Sequence, residues 1–329
     1  MRSYVSRIMR RMKGNDDAAI GLLAAMVVAL IIIAIVAAVV FVPWQTVTLD
    51  KNKNVARIAG VEKMIVGITS VTGDVEVSFG DLPDNLVQLS VKGLGHLNLL
   101  TSKVPVLINL TSSQSVDGKT LNIQGDVKVE TQGSGFSFSD LTIKMVLDRS
   151  IPSQVNVLTD TGRVSLTAGS GTVLNGANLQ TTAGAITIML GEGANLTGNV
   201  SAITTVGAVT LNWHNVQVKE MTHVTLGAAT GAVEANIFQQ NDMKGNVTYS
   251  TVSTTGSISL AMDISNGNAA RVDSASGFDN VNVQKNVGFT GSSNELSSSN
   301  YLDAQAHRFD IVLSVNTGSI NLNLQYAVV

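Results

Sequence analysis

The sequence predicts an all-β protein: a parallel β-solenoid, β-helix-like ectodomain preceded by one N-terminal transmembrane helix. Three observations predict it. A glycine-centred motif recurs at Gly162, Gly184, Gly207, Gly231 and Gly256, with spacings of 22, 23, 24 and 25 residues, a period typical of stacked repeats. Gly, Ser, Thr, Asn and Val abound, while aromatic residues make up only 4% and charged residues 14% of the 329, a composition that suits short strands and tight turns. Finally, Ala18 to Val42 runs for 25 residues without a charge.

Residues 1–17 read as a basic cytoplasmic leader, with Arg2, Arg7, Arg10, Arg11 and Lys13 against Asp16 and Asp17. Residues 18–42 are expected to be a helix, which at about 1.5 Å per residue outreaches a hydrocarbon layer of about 30 Å. Pro43 stops that helix, and Trp44 suits the interfacial aromatic belt. The excess of bases before the span keeps Arg10, Arg11 and Lys13 in the cytoplasm and sends everything after Pro43 outside the cell. The span ends in VVFVPWQ, which offers no Ala-x-Ala cleavage site, so it is expected to stay in the cell membrane as an anchor among membrane lipid.

The stretch RRMKGNDDAAIGLLAAMVVALIII resembles the N-termini of archaeal type IV pilins and archaellins, in which a basic leader precedes a long apolar helix. That resemblance implies cleavage at Lys13-Gly14 and a filament subunit. Asn15 and Asp16 after the cleavage position, and Pro43 at the membrane edge, place the filament as the second reading.

Residues 43–56 are expected to be a linker, and 57–329 one extracellular β domain. Its N-terminal part, to about residue 152, is irregular; 153–263 holds the regular repeats; 264–329 is interrupted by the polar loop FTGSSNELSSSN. Each copy reads like TTAGAITI or TTVGAVTL, and outlying copies add Gly73 and Gly318. Two residues after the seven glycines stand Val75, Val164, Ile186, Val209, Val233, Ile258 and Ile320. Apolar residues return at the fourth position, and the third is mostly Ser, Thr, Asn or Glu. This alternation describes a strand with one buried face, and the glycine supplies a turn or a close backbone approach before it. A unit of about 23 residues cannot bury such a face alone, so stacking is expected.

The Asp160-Thr161-Gly162 tripeptide matches the signature of aspartic proteases, but the equivalent slot in the other copies holds Val71, Thr182, Thr205, Ala229, Thr254 and Asn316. A dyad needs two carboxylates. Asp160 is therefore expected to be a turn residue. The four histidines, His96, His214, His223 and His307, fall in no metal-binding spacing. Asp50-Lys-Asn-Lys-Asn begins like a calcium loop, yet Val55 and Val61 occupy its glycine and glutamate positions. No catalytic, cofactor-binding or metal residue is expected. Lys219, Glu220, Asp242 and Lys244 are expected to form a surface ion-pair ladder across neighbouring copies, with a catalytic groove as the lesser alternative. Asn109, Asn195, Asn199 and Asn246 begin Asn-x-Ser/Thr triplets open to glycosylation.

Formal net charge is −3; setting aside the seven charges of the leader leaves 16 basic and 22 acidic residues with no basic cluster, which argues against nucleic acid as a partner. Cysteine is absent, so the fold rests on packing and hydrogen bonds.

The segments ITSVTGDVEVSFGD and GKTLNIQGDVKVE, with the TxxGxIxL run, resemble the large adhesin-like family of repeat β-strand domains of unknown function. The resemblance implies a β-helix-like fold and a tether to the membrane, and carries over no functional residue. The expectation is a membrane-anchored, adhesin-like display module at the cell surface, without catalysis. Its expected partners are lipid and surface polysaccharide or other envelope components, with self-association open. The alternatives are the pilin-like filament subunit and a β-helix carbohydrate-active enzyme.

Overall fold

The computed structural model describes residues 26–37, 45–97, 106–129, 136–277, 280–302 and 307–327. Among them are one helical segment, residues 26–37, and 23 strands in a single hydrogen-bonded sheet. The described residues are all-β beyond that helix. Compact packing divides it into two units. The smaller comprises residues 1–49, 94–105 and 131–139, and the larger residues 50–93, 106–130 and 140–329.

Within the larger unit the copies of the glycine motif lie side by side in parallel and in register. Val75 pairs with Val164, Val164 with Ile186, Ile186 with Val209, Val209 with Val233, Val233 with Ile258, and Ile258 with Ile320. All seven are at most 1% exposed. Each buried Val or Ile contributes about 1.5–3 kcal/mol, and a slip by one residue would turn every one of them to solvent. The strands before the glycines stack likewise: Val155, Ala177, Val200 and Val224 share one register.

The repeats predict a wholly parallel sheet, but the sheet is mixed. Val106–Gln114 pairs antiparallel with Thr120–Val129, and Glu295–Ser298 pairs antiparallel with both Asn268–Ser276 and Phe289–Ser292. Short connections cause two of these exceptions. Gly118 at φ +72° tightens the turn at 115–119, and Ser293-Asn294 joins its two strands directly; connections this short permit only an antiparallel return.

The stacking order departs from the chain order at both ends. Asp74–Gly80 lies between Phe136–Asp148 and Val164–Ala168, so the later stretch is the outer one. His307–Ala327 likewise lies between Val247–Ser265 and two earlier strands, Asn268–Ser276 and Val281–Val287. Asp74–Gly80 and His307–Ala327 are thus interior strands, each flanked on both sides by stretches from elsewhere in the chain.

Of the expected linker, residues 43–56, the part from residue 45 forms the strand Gln45–Ala56, because Leu49 and Val55 find burial there. Asp160 lies exposed inside the strand Ser153–Thr161 and not in the turn; among the described residues its carboxylate has no ion-pair partner. Among the described residues no helix is long and apolar enough to cross a membrane. The helix at 26–37 is 12 residues, about 18 Å of rise. The remainder of the expected span lies outside the described residues, as do Arg10, Arg11, Lys13 and Gly14 of the leader and Pro43 and Trp44 of its boundary.

Candidate functional site

The motif glycines form a column. Gly73, Gly162, Gly184, Gly207, Gly231, Gly256 and Gly318 all have φ between +106° and +153°, a conformation that side-chain-bearing residues avoid. From Gly162 onward, a Cβ on any of these glycines would lie 2.6–2.7 Å from the carbonyl carbon of the preceding one in the stack, and nearer still to its oxygen. Backbone conformation and backbone proximity therefore both demand glycine. Beside this column runs a row of buried hydroxyls that the repeat's leading Thr had signalled. Thr181, Thr204 and Ser253 donate to the carbonyls of Gly162, Gly184 and Gly231 at 3.2, 3.0 and 3.3 Å. These three hydroxyls thus stitch their copies to the preceding one.

A second device closes the far corner of the repeats. Gln239, fully buried, accepts from Trp213 Nε1 at 2.8 Å and from the Val216 amide at 3.0 Å. Asn268, also fully buried, accepts from the Met243 amide and donates to the Asn241 carbonyl, both at 3.1 Å. These amides satisfy backbone groups where the strands end.

On the strands that follow the glycines, the outward side chains form a cleft of about 410 Å³. One register column reads Asn212, Asn236, Ala261 and Asn323, and the next reads His214, Phe238, Asp263 and Gln325. Ala261, the only short side chain of its column, leaves the gap. His214 and Phe238 stack with ring centroids 4.9 Å apart and planes 16° apart. Asn236 donates to Asn212 Oδ1 at 3.0 Å and to Glu234 Oε1 at 2.9 Å. The two charges bordering the cleft each have a neutral partner: Gln240 donates to Asp263, and Lys285 donates to Gln325. Sequence reasoning missed this cleft, because Phe238 and Lys285 come to line one cleft only through pairing of distant strands; the visible signal was an aromatic at an outward position of a Ser, Thr and Asn face.

The other singled-out residues do not converge. Lys219, Glu220, Asp242 and Lys244 are exposed, and no ion pair joins them. The expected ladder is absent because isolated exposed charges gain little from pairing in water. Among the described residues no three His, Asp or Glu side chains gather as a metal site. Asn109, Asn199 and Asn246 are exposed and Asn195 half-buried. The Oδ1 atoms of Asn199 and Asn246 accept the amides of His223 and Arg308, both at 3.0 Å.

No family model and no curated protein matches the chain. Among solved structures, a candidate cell adhesion protein from Clostridium sporogenes is 14% identical with a TM-score of 0.39, the match covering 84% of this chain and 99% of that one. A candidate adhesin from Bacteroides fragilis is 8% identical with a TM-score of 0.36, covering 85% and 98%. A candidate lipid binding protein from Parabacteroides distasonis is 11% identical with a TM-score of 0.25, covering 84% and 96%. Similarity at this level carries no argument about what this chain does.

Proposed function

We propose that this protein is a single-pass, N-in membrane protein that holds a parallel β-solenoid outside the cell as an adhesin-like display module, without catalysis. The glycine column carries the reading. Each coil approaches the next so closely at Gly162, Gly184, Gly207, Gly231 and Gly256 that no side chain fits between, which makes the stack stiff along its axis. A stiff stack keeps its outward rows of Ser, Thr and Asn at fixed intervals, and repeated weak contacts to one surface or polymer then add by avidity. The antiparallel hairpins are excursions from that stack, and the outer strands at its ends act as caps of the kind repeat arrays require.

Support for the anchor comes from the helix at 26–37. Met26, Leu30 and Ile33 are 59%, 62% and 63% exposed, and an apolar surface of that extent calls for a partner such as lipid. Protease shaving of intact cells, followed by carbonate washing of the membranes, tests the whole reading. The expected result is release of β-domain fragments with the N-terminal segment left in the membrane. A chain that is cut only after lysis, or that leaves with the soluble fraction, overturns it. Mass spectrometry of the mature N-terminus separates this reading from the filament subunit, which would begin near Gly14.

A further inference from the structure

We infer that the cleft between the His214–Phe238 stack and Lys285 is a binding site for a neutral saccharide. The inference deepens the display reading by naming what is held, and rests on it only for the polymer being within reach.

Three features of the cleft point to this class of ligand. The first is its aromatic. Phe238 is the one aromatic among the exposed large apolar side chains of the described residues, in a chain where aromatics are scarce. His214 covers one face of the Phe238 ring, and the remainder of Phe238, which is 38% exposed, is an apolar surface at the cleft wall of the kind against which the C–H face of a sugar ring packs.

The second feature is the polar complement. Asn212, Asn236, Asn323 and Gln325 are primary amides. The Asn236 N–H groups and the Gln325 carbonyl are engaged within the cleft wall, and N–H donors of Asn212 and Gln325, the Asn236 carbonyl and the Asn323 amide face a ligand. Hydroxyl groups, which donate and accept at one atom, match such amides better than carboxylates or ammonium groups do. The volume of about 410 Å³ falls in the range of small-molecule sites, and the gap over Ala261 gives a ring room to enter.

The third feature is the charge balance. One carboxylate, Asp263, and one ammonium, Lys285, border the cleft, and each is already hydrogen-bonded to a glutamine. A site with no net charge has no means to hold a polyanion, which needs several cations. A peptide adding as a β-strand is also disfavoured. The cleft lies on the face of the sheet, where the strands of Asn212, Asn236, Ala261 and Asn323 are already paired to one another, whereas strand addition needs a free edge.

The test uses the full chain, purified without sugar-based detergent, on an array of six-sugar oligomers of glucose, galactose, mannose and N-acetylglucosamine, with a polyuronate and a peptide library alongside. At least one neutral oligomer is expected to bind. Phe238→Ala should weaken that binding about tenfold or more, and Phe238→Tyr should retain most of it. Ala261→Gln fills the gap from an outward position, so it should abolish binding while leaving the thermal midpoint unchanged. Leu158→Ser, on the strands before the glycine column, should leave binding as it is. Capture of none of the neutral oligomers, of the polyuronate or peptides alone, or binding indifferent to both Phe238→Ala and Ala261→Gln, overturns the inference. A chain found inside the cell that still binds loses the display reading and keeps the cleft; a surface-exposed chain that binds no neutral oligomer does the reverse.

Discussion

Gly207→Ala probes the contact on which the stack depends. Gly207 has φ +146°, and a Cβ there would lie 2.6 Å from the carbonyl carbon of Gly184. The backbone conformation alone costs a side-chain-bearing residue about 1–3 kcal/mol, and forcing a methyl group into packed backbone adds about 1–3 kcal/mol. The expected loss is therefore about 2–6 kcal/mol. Gly118→Ala supplies the reference, since Gly118 has φ +72° but nothing within 4 Å of its would-be Cβ. It should lose only about 1–2 kcal/mol. The entropy that alanine removes from the unfolded chain is common to both and cancels in the comparison. Urea unfolding of the full chain followed by far-ultraviolet circular dichroism reads the difference. With a slope of about 3 kcal/mol per molar, 3 kcal/mol shifts the midpoint by about 1 M. If the two variants unfold within about 0.5 kcal/mol of each other, close backbone approach is not what the glycine column supplies.

Gln239→Leu should cost about 2–6 kcal/mol, because it strands two buried donors, Trp213 Nε1 and the Val216 amide, at about 1–3 kcal/mol each; thermal melting checks it. Thr204→Val keeps the shape of a 1% exposed side chain but deletes its hydrogen bond to the Gly184 carbonyl, and should cost about 1 kcal/mol by the same assay. Stability should fall as pH rises above 10. Burial holds the Tyr249 hydroxyl above its ordinary pKa of 10.0, so the unfolded chain releases that proton while the folded one keeps it. The contribution is whole below pH 10 and is lost at up to about 1.4 kcal/mol per pH unit above it. Tyr301 adds to the same fall, raised by burial and by donating to Asp310. Tyr249→Phe should flatten the alkaline slope of urea midpoints; an unchanged slope refutes the assignment.

Much of the repeat was legible because its causes are local. Alternation at Val164, Ser165 and Leu166 fixes which side chains turn inward whatever the neighbours are, and a TxxG step announces a hydroxyl and a glycine at fixed offsets. Asp160 shows the limit of a three-residue match, since its meaning came from the same slot in six other copies. The ion-pair ladder was misjudged because charge type is visible in a sequence while the separation of two exposed side chains is not. The cleft was invisible for a different reason. Its gap comes from Ala261, its aromatic from Phe238 and its cation from Lys285, three residues on different strands that share a cleft only because of which strands pair.

By itself the sequence determined the strand class, the inward and outward faces and the glycine corners, because these follow from backbone sterics and burial among neighbouring residues, and the period, because one motif recurs at nearly constant spacing. Only the tertiary structure decided the order of the stack. Nothing local distinguishes Asp74–Gly80 beside Val164–Ala168 from Phe136–Asp148 in that place, nor His307–Ala327 beside Val247–Ser265 from Asn268–Ser276. Every one of these strands offers the same backbone groups and a similar apolar face. Which of them lies inside and which caps the end is settled by what each can bury on both sides at once, a property of the assembled stack that no single strand carries.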